Sequence, residues 1–217
     1  MAEKPKPAQP NTTPACFIFG AGPFYGLDVP PAPGDLILAA DGGYRHCCTV
    51  GLQPHLLLGD FDSLDVPPPQ DIPRQVFPPE KDDTDTMLAV KLGLERGFRR
   101  FHLYGGTGGR LDHTLASLQT LAYLACAGAR GELHDEGFVF TAIQGPDSLQ
   151  LPPRADGLFS VFCLGADAKG VSIQGGKYEA QDVTLTAAFP LGVSNQFQGK
   201  PVVVSVTSGC LLVGWER

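Results

Sequence analysis

An α/β protein built on a parallel sheet, followed by an all-β C-terminal unit, is the fold class this sequence predicts. Three observations predict it. Short apolar runs alternate with helix-length segments as far as Arg130. The apolar runs end repeatedly in glycine or aspartate, the residues that turn a chain at a strand end. Beyond Arg130 no helix-length segment recurs, and short alternating runs separated by glycines take over, the pattern of a sandwich or roll.

The elements follow in order. Cys16-Phe17-Ile18-Phe19 is apolar throughout and closed by Gly20-Ala21-Gly22-Pro23, so it reads as a buried strand and a glycine turn. Leu36-Ile37-Leu38-Ala39-Ala40 ends in Asp41-Gly42-Gly43, after which residues 44–50 suit a short helix stopped by Gly51. Leu56-Leu57-Leu58 is a third strand, Pro67-Pro68-Pro69 an exposed loop, and residues 74–77 a fourth strand running into Pro78-Pro79. Asp82 or Asp83 suits the N-cap of a helix carrying Met87, Leu88, Val90, Leu92 and Leu94 and ending at Gly97. Phe101-His102-Leu103-Tyr104 is a fifth strand, and a glycine-rich stretch then leads into a long apolar helix reaching about Ala127. The alternation predicts a Rossmann-like parallel sheet with helices on both faces. Further strands are expected at 132–134, 139–143, 158–164, 171–173, 183–187, 202–206 and 211–215. The expected organisation is a disordered leader over 1–14, an α/β catalytic unit over 15–140 and a β-sandwich over 141–217.

Composition narrows the function. The chain has 217 residues, 43% of them hydrophobic, enough for a sizeable core. A net charge of -7 with scattered Lys and Arg argues against a nucleic-acid partner. ATP is still compatible, because backbone amides and a metal ion supply local positive potential. The six cysteines form no Cys-x-x-Cys pair and have no histidine at zinc spacing, so they read as small buried apolar residues of a reducing, cytoplasmic protein. The lysine- and proline-containing N-terminus lacks the apolar centre of a signal peptide or a membrane span.

The chemistry gathers at strand ends. Gly59-Asp60-Phe61-Asp62-Ser63 follows the third strand, and in an extended segment Asp60 and Asp62 point the same way. Paired carboxylates suit Mg²⁺, which takes one or two protein carboxylates beside substrate phosphates; the competing reading is an aspartate-closed surface turn. If the strands are parallel, the glycines after the first, Asp41 after the second, the aspartate pair after the third and Gly105-Gly106-Thr107-Gly108-Gly109 after the fifth all lie on one edge, where parallel sheets bind ligands. The glycines allow close backbone approach to phosphate, and Arg110 adds a two-pronged hold. No Gly-Lys-Ser or Gly-Lys-Thr follows, so this is not the Walker arrangement. His113 is open to two readings, a phosphate ligand or acid-base group and a hydrogen-bonded structural residue; Asp112 is also a plain helix cap candidate.

Five stretches together resemble the thiamine pyrophosphokinase family. They are Ala40-Asp41-Gly42-Gly43, Gly59-Asp60-Phe61-Asp62-Ser63, Glu80-Lys81-Asp82-Asp83-Thr84-Asp85, Gly108-Gly109-Arg110-Leu111-Asp112-His113 and Leu191-Gly192-Val193-Ser194-Asn195-Gln196-Phe197. The resemblance implies transfer of the pyrophosphoryl group of ATP to the hydroxyl of thiamine, giving thiamine diphosphate and AMP. It implies a homodimer with active sites between subunits. It also implies that Asp41, Asp60, Asp62 and Asp85 gather Mg²⁺ and the triphosphate. Lys81, Asp82, Thr84, Thr107, Gly108, Gly109, Arg110, Asp112 and His113 shape the nucleotide site by the same analogy, and Ser194 and Asn195 contact thiamine. The proline-rich segment over 66–73 is particular to this chain, and Trp215 matches no family role. Two other functions fit some of the same features: a nucleotide or thiamine sensor without turnover, and a metal-dependent phosphohydrolase.

Overall fold

The computed structural model describes residues 13–59, 70–77 and 83–217. Its first half runs β1 (Cys16–Phe19), β2 (Leu36–Ala40), α1 (Gly43–Thr49), β3 (Leu56–Gly59), β4 (Arg74–Val76), α2 (Asp85–Glu95), β5 (Arg100–Tyr104), α3 (Leu111–Cys126) and β6 (Arg130–His134). The six strands pair in the order β6-β5-β1-β2-β3-β4, every pair parallel. Because side chains alternate across a strand, β1 feeds two cores. Cys16 and Ile18 pack with Ala89 and Val90 of α2 and with Leu121 and Leu124 of α3. Phe17 and Phe19 pack on the other face with Cys47 of α1. The near-continuous apolar runs of the central strands are thereby explained, since both faces are covered by helices. Fully buried leucines such as Leu38, Leu57 and Leu58 each contribute about 1.5–3 kcal/mol relative to exposure.

The second half is all strand among the described residues: β7 (Phe138–Gln144), β8 (Asp147–Leu151), β9 (Leu158–Cys163), β10 (Ala168–Gln174), β11 (Ala180–Leu185), β12 (Gly192–Gln196), β13 (Val202–Val206) and β14 (Cys210–Glu216). A tight turn joins β6 to β7, with the Asp135 amide donating to the Phe138 carbonyl at 2.9 Å, and β7 pairs antiparallel with β6. The parallel sheet therefore continues through β7, β14, β9 and β12 into one sheet of ten strands. A separate four-stranded sheet, β11-β10-β13-β8, lies over this extension. Phe159, Val161, Leu211 and Val213 from the large sheet meet Val171, Ile173, Val202 and Val204 from the small one. The sandwich is thus built on a continuation of the α/β sheet, and residue 140 falls inside β7.

Several local expectations change. Thr84, not Asp82 or Asp83, caps α2: its hydroxyl accepts from the Met87 amide at 3.1 Å, while Asp83 pairs with Lys91 at 2.6 Å. Arg110 occupies the cap position of α3 without a side-chain cap bond, so Asp112 is not the cap. β8 and β12 are additional strands that the sequence pattern does not reveal, because Asp-Ser-Leu-Gln-Leu and Gly-Val-Ser-Asn-Gln carry few apolar residues. Only Cys16, Cys47 and Cys210 of the cysteines are buried; Cys48 and Cys126 are exposed and Cys163 is half-buried, all six being free. Trp215 packs against the sandwich core. No helix among the described residues is long and apolar enough to cross a membrane.

Candidate active site

Parallel pairing of β1, β2, β3 and β5 brings their carboxyl ends to one edge of the sheet. A cavity of about 410 Å³ opens there, within the size range of small-molecule sites. Ala21 and Gly22 line it from the loop after β1, Asp41 from the end of β2, and Asp83, Thr84 and Asp85 from the start of α2. Thr107 and Gly109 enter from the loop after β5, and Arg110 and His113 from the start of α3. The sequence-predicted Asp60, Asp62, Lys81 and Asp82 lie outside the described residues. Gly108 and Asp112 belong to the same loop and helix start but do not line the cavity.

The floor is made of backbone. The Gly20 amide donates to the Tyr104 carbonyl at 2.8 Å and the Gly22 amide to the Gly105 carbonyl at 2.9 Å, lacing the two glycine loops together. Gly105 sits at φ +69, and a Cβ there would come within 2.4 Å of the Gly20 carbonyl oxygen, so only glycine permits the approach. His46 of α1, which sequence reasoning missed, secures the first loop from behind. Its Nε2 lies 2.8 Å from the Gly22 carbonyl oxygen and its ring stacks on Phe24 at 5.0 Å. Burial lowers its pKa from the ordinary histidine value, and because a carbonyl oxygen can only accept, Nε2 is the donor. A lone histidine in a short helix gives no sequence signal for such a contact.

Asp41 terminates β2 in the left-handed region, at φ 46. Its amide donates to the Leu58 carbonyl at 2.8 Å, which fixes it to the end of β3 where the Asp60 segment begins. Asp85 opens α2 and lies in its first turn, where the helix dipole favours a carboxylate. The Thr107 hydroxyl donates to the Asp135 carboxylate at the end of β6, anchoring the second glycine loop. Arg110 grips Asp112 through two bonds, Nε to Oδ1 at 3.1 Å and Nη2 to Oδ2 at 2.6 Å, and Asp112 also accepts from the His113 amide at 3.0 Å. The guanidinium accordingly holds the Asp112 carboxyl below its usual range. Both side chains are largely exposed, so the pair can open to an incoming phosphate at little cost.

Ser194 and Asn195 lie far along the chain in β12, the outermost strand of the sandwich end of the large sheet, and do not line this cavity. Asn195 is buried: its Oδ1 accepts from the Tyr178 amide at 3.0 Å and the Gln196 amide at 2.8 Å, and its Nδ2 donates to the Tyr178 carbonyl at 2.6 Å. Ser194 is exposed and left-handed, at φ 59, with its amide held by the Ser160 hydroxyl at 3.0 Å.

Comparison with known proteins agrees with this geometry in both halves. Residues 33–130 match the family model of the thiamin pyrophosphokinase catalytic domain, and residues 148–211 match that of the thiamin pyrophosphokinase vitamin B1 binding domain. The chain is similar to thiamin pyrophosphokinase 1 of Caenorhabditis elegans, 25% identical over 169 residues that span 73% of this chain and 68% of the relative. It is 34% identical to the thiamine pyrophosphokinase of Bacillus subtilis over 91 residues, 40% of this chain and 42% of that one. The crystal structure of thiamine pyrophosphokinase from Bacillus subtilis shares the fold, with a TM-score of 0.80 at 22% identity over 94% of this chain and 99% of that one. With the catalytic and the vitamin-binding units of one enzyme both present, in order, on a single polypeptide, the chain belongs to the thiamin pyrophosphokinase family.

Proposed function

We propose that this protein transfers the pyrophosphoryl group of ATP to the hydroxyethyl oxygen of thiamine, yielding thiamine diphosphate and AMP. The observation that carries the reading is the single cleft in which two glycine loops, two helix starts and the carboxylates Asp41 and Asp85 converge at the strand ends. Backbone amides at the glycine loops and at the first turn of α3 suit phosphate oxygens, and Arg110 adds charge once released from Asp112. The thiamine hydroxyl attacks the β-phosphorus in line with the departing AMP oxygen, and the alcohol's proton passes to a cleft carboxylate.

The cleft lining includes the carboxylates of Asp41, Asp83 and Asp85, oxygen ligands of the kind that Mg²⁺ prefers, so the described residues fit that ion. Asp41 and Asp85 would hold it, together with Asp60 and Asp62 of the same motif set. Bound there, Mg²⁺ supplies charge to offset the triphosphate. Thr84, Thr107, Gly109 and His113 shape the nucleotide pocket from the positions already described, with Lys81 and Asp82 completing the motif and Gly108 and Asp112 belonging to the same loop and helix start.

We assign residues 15–140 to the nucleotide and residues 141–217 to thiamine and dimerisation. Ser194 and Asn195 do not line the cleft of their own chain, and β12 is an edge strand that carries exposed Val193 and is preceded by exposed Phe189 and Leu191. A homodimer in which that edge faces the partner's cleft would bring thiamine to ATP. Six free cysteines suit the cytoplasm. Incubation of purified protein with ATP, Mg²⁺ and thiamine is expected to give AMP and thiamine diphosphate. ADP with thiamine monophosphate, or phosphate release without thiamine, would overturn the assignment.

A further inference from the structure

A second cluster of polar side chains is buried on the α1 face of the large sheet, apart from the cleft carboxylates. His102 of β5 sits directly opposite Glu132 of β6, and His134 follows two residues on, so all three project to the same side. Their donor atoms form a triangle: His102 Nδ1 to His134 Nε2 at 3.1 Å, His102 Nδ1 to Glu132 Oε2 at 3.4 Å, and His134 Nε2 to Glu132 Oε2 at 3.9 Å. Tetrahedral zinc with bonds of 2.0–2.1 Å separates its ligands by about 3.3 Å. The triangle is therefore already close to the size that such an ion requires.

The surroundings are those of a built site. Both histidines are only 4% exposed. His134 Nδ1 lies 2.9 Å from the Asp28 carboxylate, which fixes the proton on Nδ1 and leaves the Nε2 lone pair facing the triangle. Asp28 is itself held by Arg217. A carboxylate behind a metal-binding histidine is the usual orienting arrangement. His102 is clamped by its stack on Phe17 at 4.7 Å, and His134 by its stack on Tyr104 at 4.4 Å. His102 Nε2 is buried and has no hydrogen-bond partner among the described residues. Without a metal, His102 Nδ1 donates to the His134 Nε2 lone pair; the buried His102 Nε2 is unpaired in either state, so what favours the ion is the triangle and its orienting carboxylate.

We propose that His102, Glu132 and His134 bind one divalent transition-metal ion of the zinc class, with Asp28 orienting His134 and a water as fourth ligand. The water has a route in, because the Glu132 side chain is 36% exposed. On binding, the metal takes the His102 Nδ1 lone pair and the single ring proton resides on Nε2, so both histidines stay neutral. Two imidazoles and a carboxylate favour Zn²⁺ or Co²⁺ over Mg²⁺, which demands oxygen ligands. The ion would tie β5 to β6 just below the point where Thr107 meets Asp135, a structural role distinct from the cleft chemistry.

The test uses the full-length, tag-free protein, stripped with a chelator and held in excess Mg²⁺ so that oxygen sites are filled. Titration with Co²⁺ should produce the intense visible absorption of four-coordinate cobalt, saturating at one ion per chain, and should raise the melting temperature. Glu132→Gln, at a partly exposed position that tolerates the change, should weaken cobalt binding by about tenfold or more. His134→Gln should abolish the band. Absence of the band in the wild-type protein, or a titration unchanged by Glu132→Gln, would overturn the proposal even if the histidine variant failed to fold.

Discussion

Gly59 and Asp41 occupy a space that only one of them can fill with a side chain: a Cβ on Gly59 would lie 1.6 Å from Asp41 Oδ1. The carboxylate end of Asp41 rests against the bare Cα of Gly59, which itself sits at φ +140. Alanine at 59 must therefore displace the carboxylate and strain the backbone together. Gly59→Ala is expected to destabilise the chain by about 1–3 kcal/mol. Turnover should fall far more than stability, by about a hundredfold, because misplacement of a reacting constellation by an ångström costs that much. Thermal melts alongside steady-state kinetics check it; near-normal turnover would show that the Asp41 position is immaterial.

Asp41→Asn and Asp85→Asn test the charge rather than the position. Each keeps size and loses a negative charge that the proposed site needs for Mg²⁺. Each should lower kcat by about 10²–10³-fold, the scale of removing one electrostatic contact to a transition state, while the lost helix-dipole contact of Asp85, about 0.3–1 kcal/mol, lowers Tm by no more than about 4 °C. Mg²⁺ titrations of activity should shift to higher concentration in both. Retained activity at ordinary Mg²⁺ would remove these aspartates from the metal assignment.

Thr84 has a structural duty beside its place on the cleft wall, since its hydroxyl caps α2 through the Met87 amide. Thr84→Ala should cost about 1 kcal/mol, which for a chain of this length lowers Tm by about 2–4 °C. Thr84→Ser should restore the stability. If serine restores activity as well, the hydroxyl alone is needed at this position; if it restores only Tm, the methyl group also shapes the pocket.

The legible part of this molecule is the part where chemistry and chain direction coincide. Apolar runs ending in Gly20, Asp41, Gly59 and Gly105 place those residues on one edge as soon as the strands are parallel, and the motif set follows. What resisted reading is what depends on neighbours distant in sequence. The ten-stranded sheet forms because β7 turns back on β6, a pairing that strand composition alone does not specify. The His102, Glu132 and His134 cluster arises from the register of β5 against β6, which links positions about thirty residues apart. Thr84 rather than Asp83 caps the helix although aspartate is the stronger cap former, because Asp83 reaches Lys91 instead.

His46 predicts a pH dependence. Burial depresses its pKa in the folded chain, while the unfolded chain keeps the ordinary value of about 6.5. Below that value the unfolded state takes up a proton that the folded state resists, so stability rises with pH across this window. The contribution is fully present above about pH 6.5 and is lost as pH falls toward the depressed value, at no more than about 1.4 kcal/mol per pH unit. His46→Gln, which retains a donor toward the Gly22 carbonyl, should flatten the slope between pH 7 and 5 in denaturant titrations. An identical slope in the variant would mean that the ring titrates equally in both states.

Asn195 and Ser194 stand side by side in β12 but should fail differently. Asn195 is 5% exposed and satisfies both the amide and the carbonyl of Tyr178. Asn195→Ala would remove three hydrogen bonds that brace the part-buried backbone at Tyr178 and Gln196, at about 1–3 kcal/mol, so its effect should appear first as a lower melting temperature. The Ser194 side chain is exposed and the structure holds this residue through its amide, so Ser194→Ala should leave stability within about 0.5 kcal/mol. If Ser194 contacts thiamine, the same change should raise the KM for thiamine and leave that for ATP unaltered. An unchanged thiamine KM in Ser194→Ala would detach this residue from the substrate, and would leave Asn195 as the brace of the Tyr178 turn.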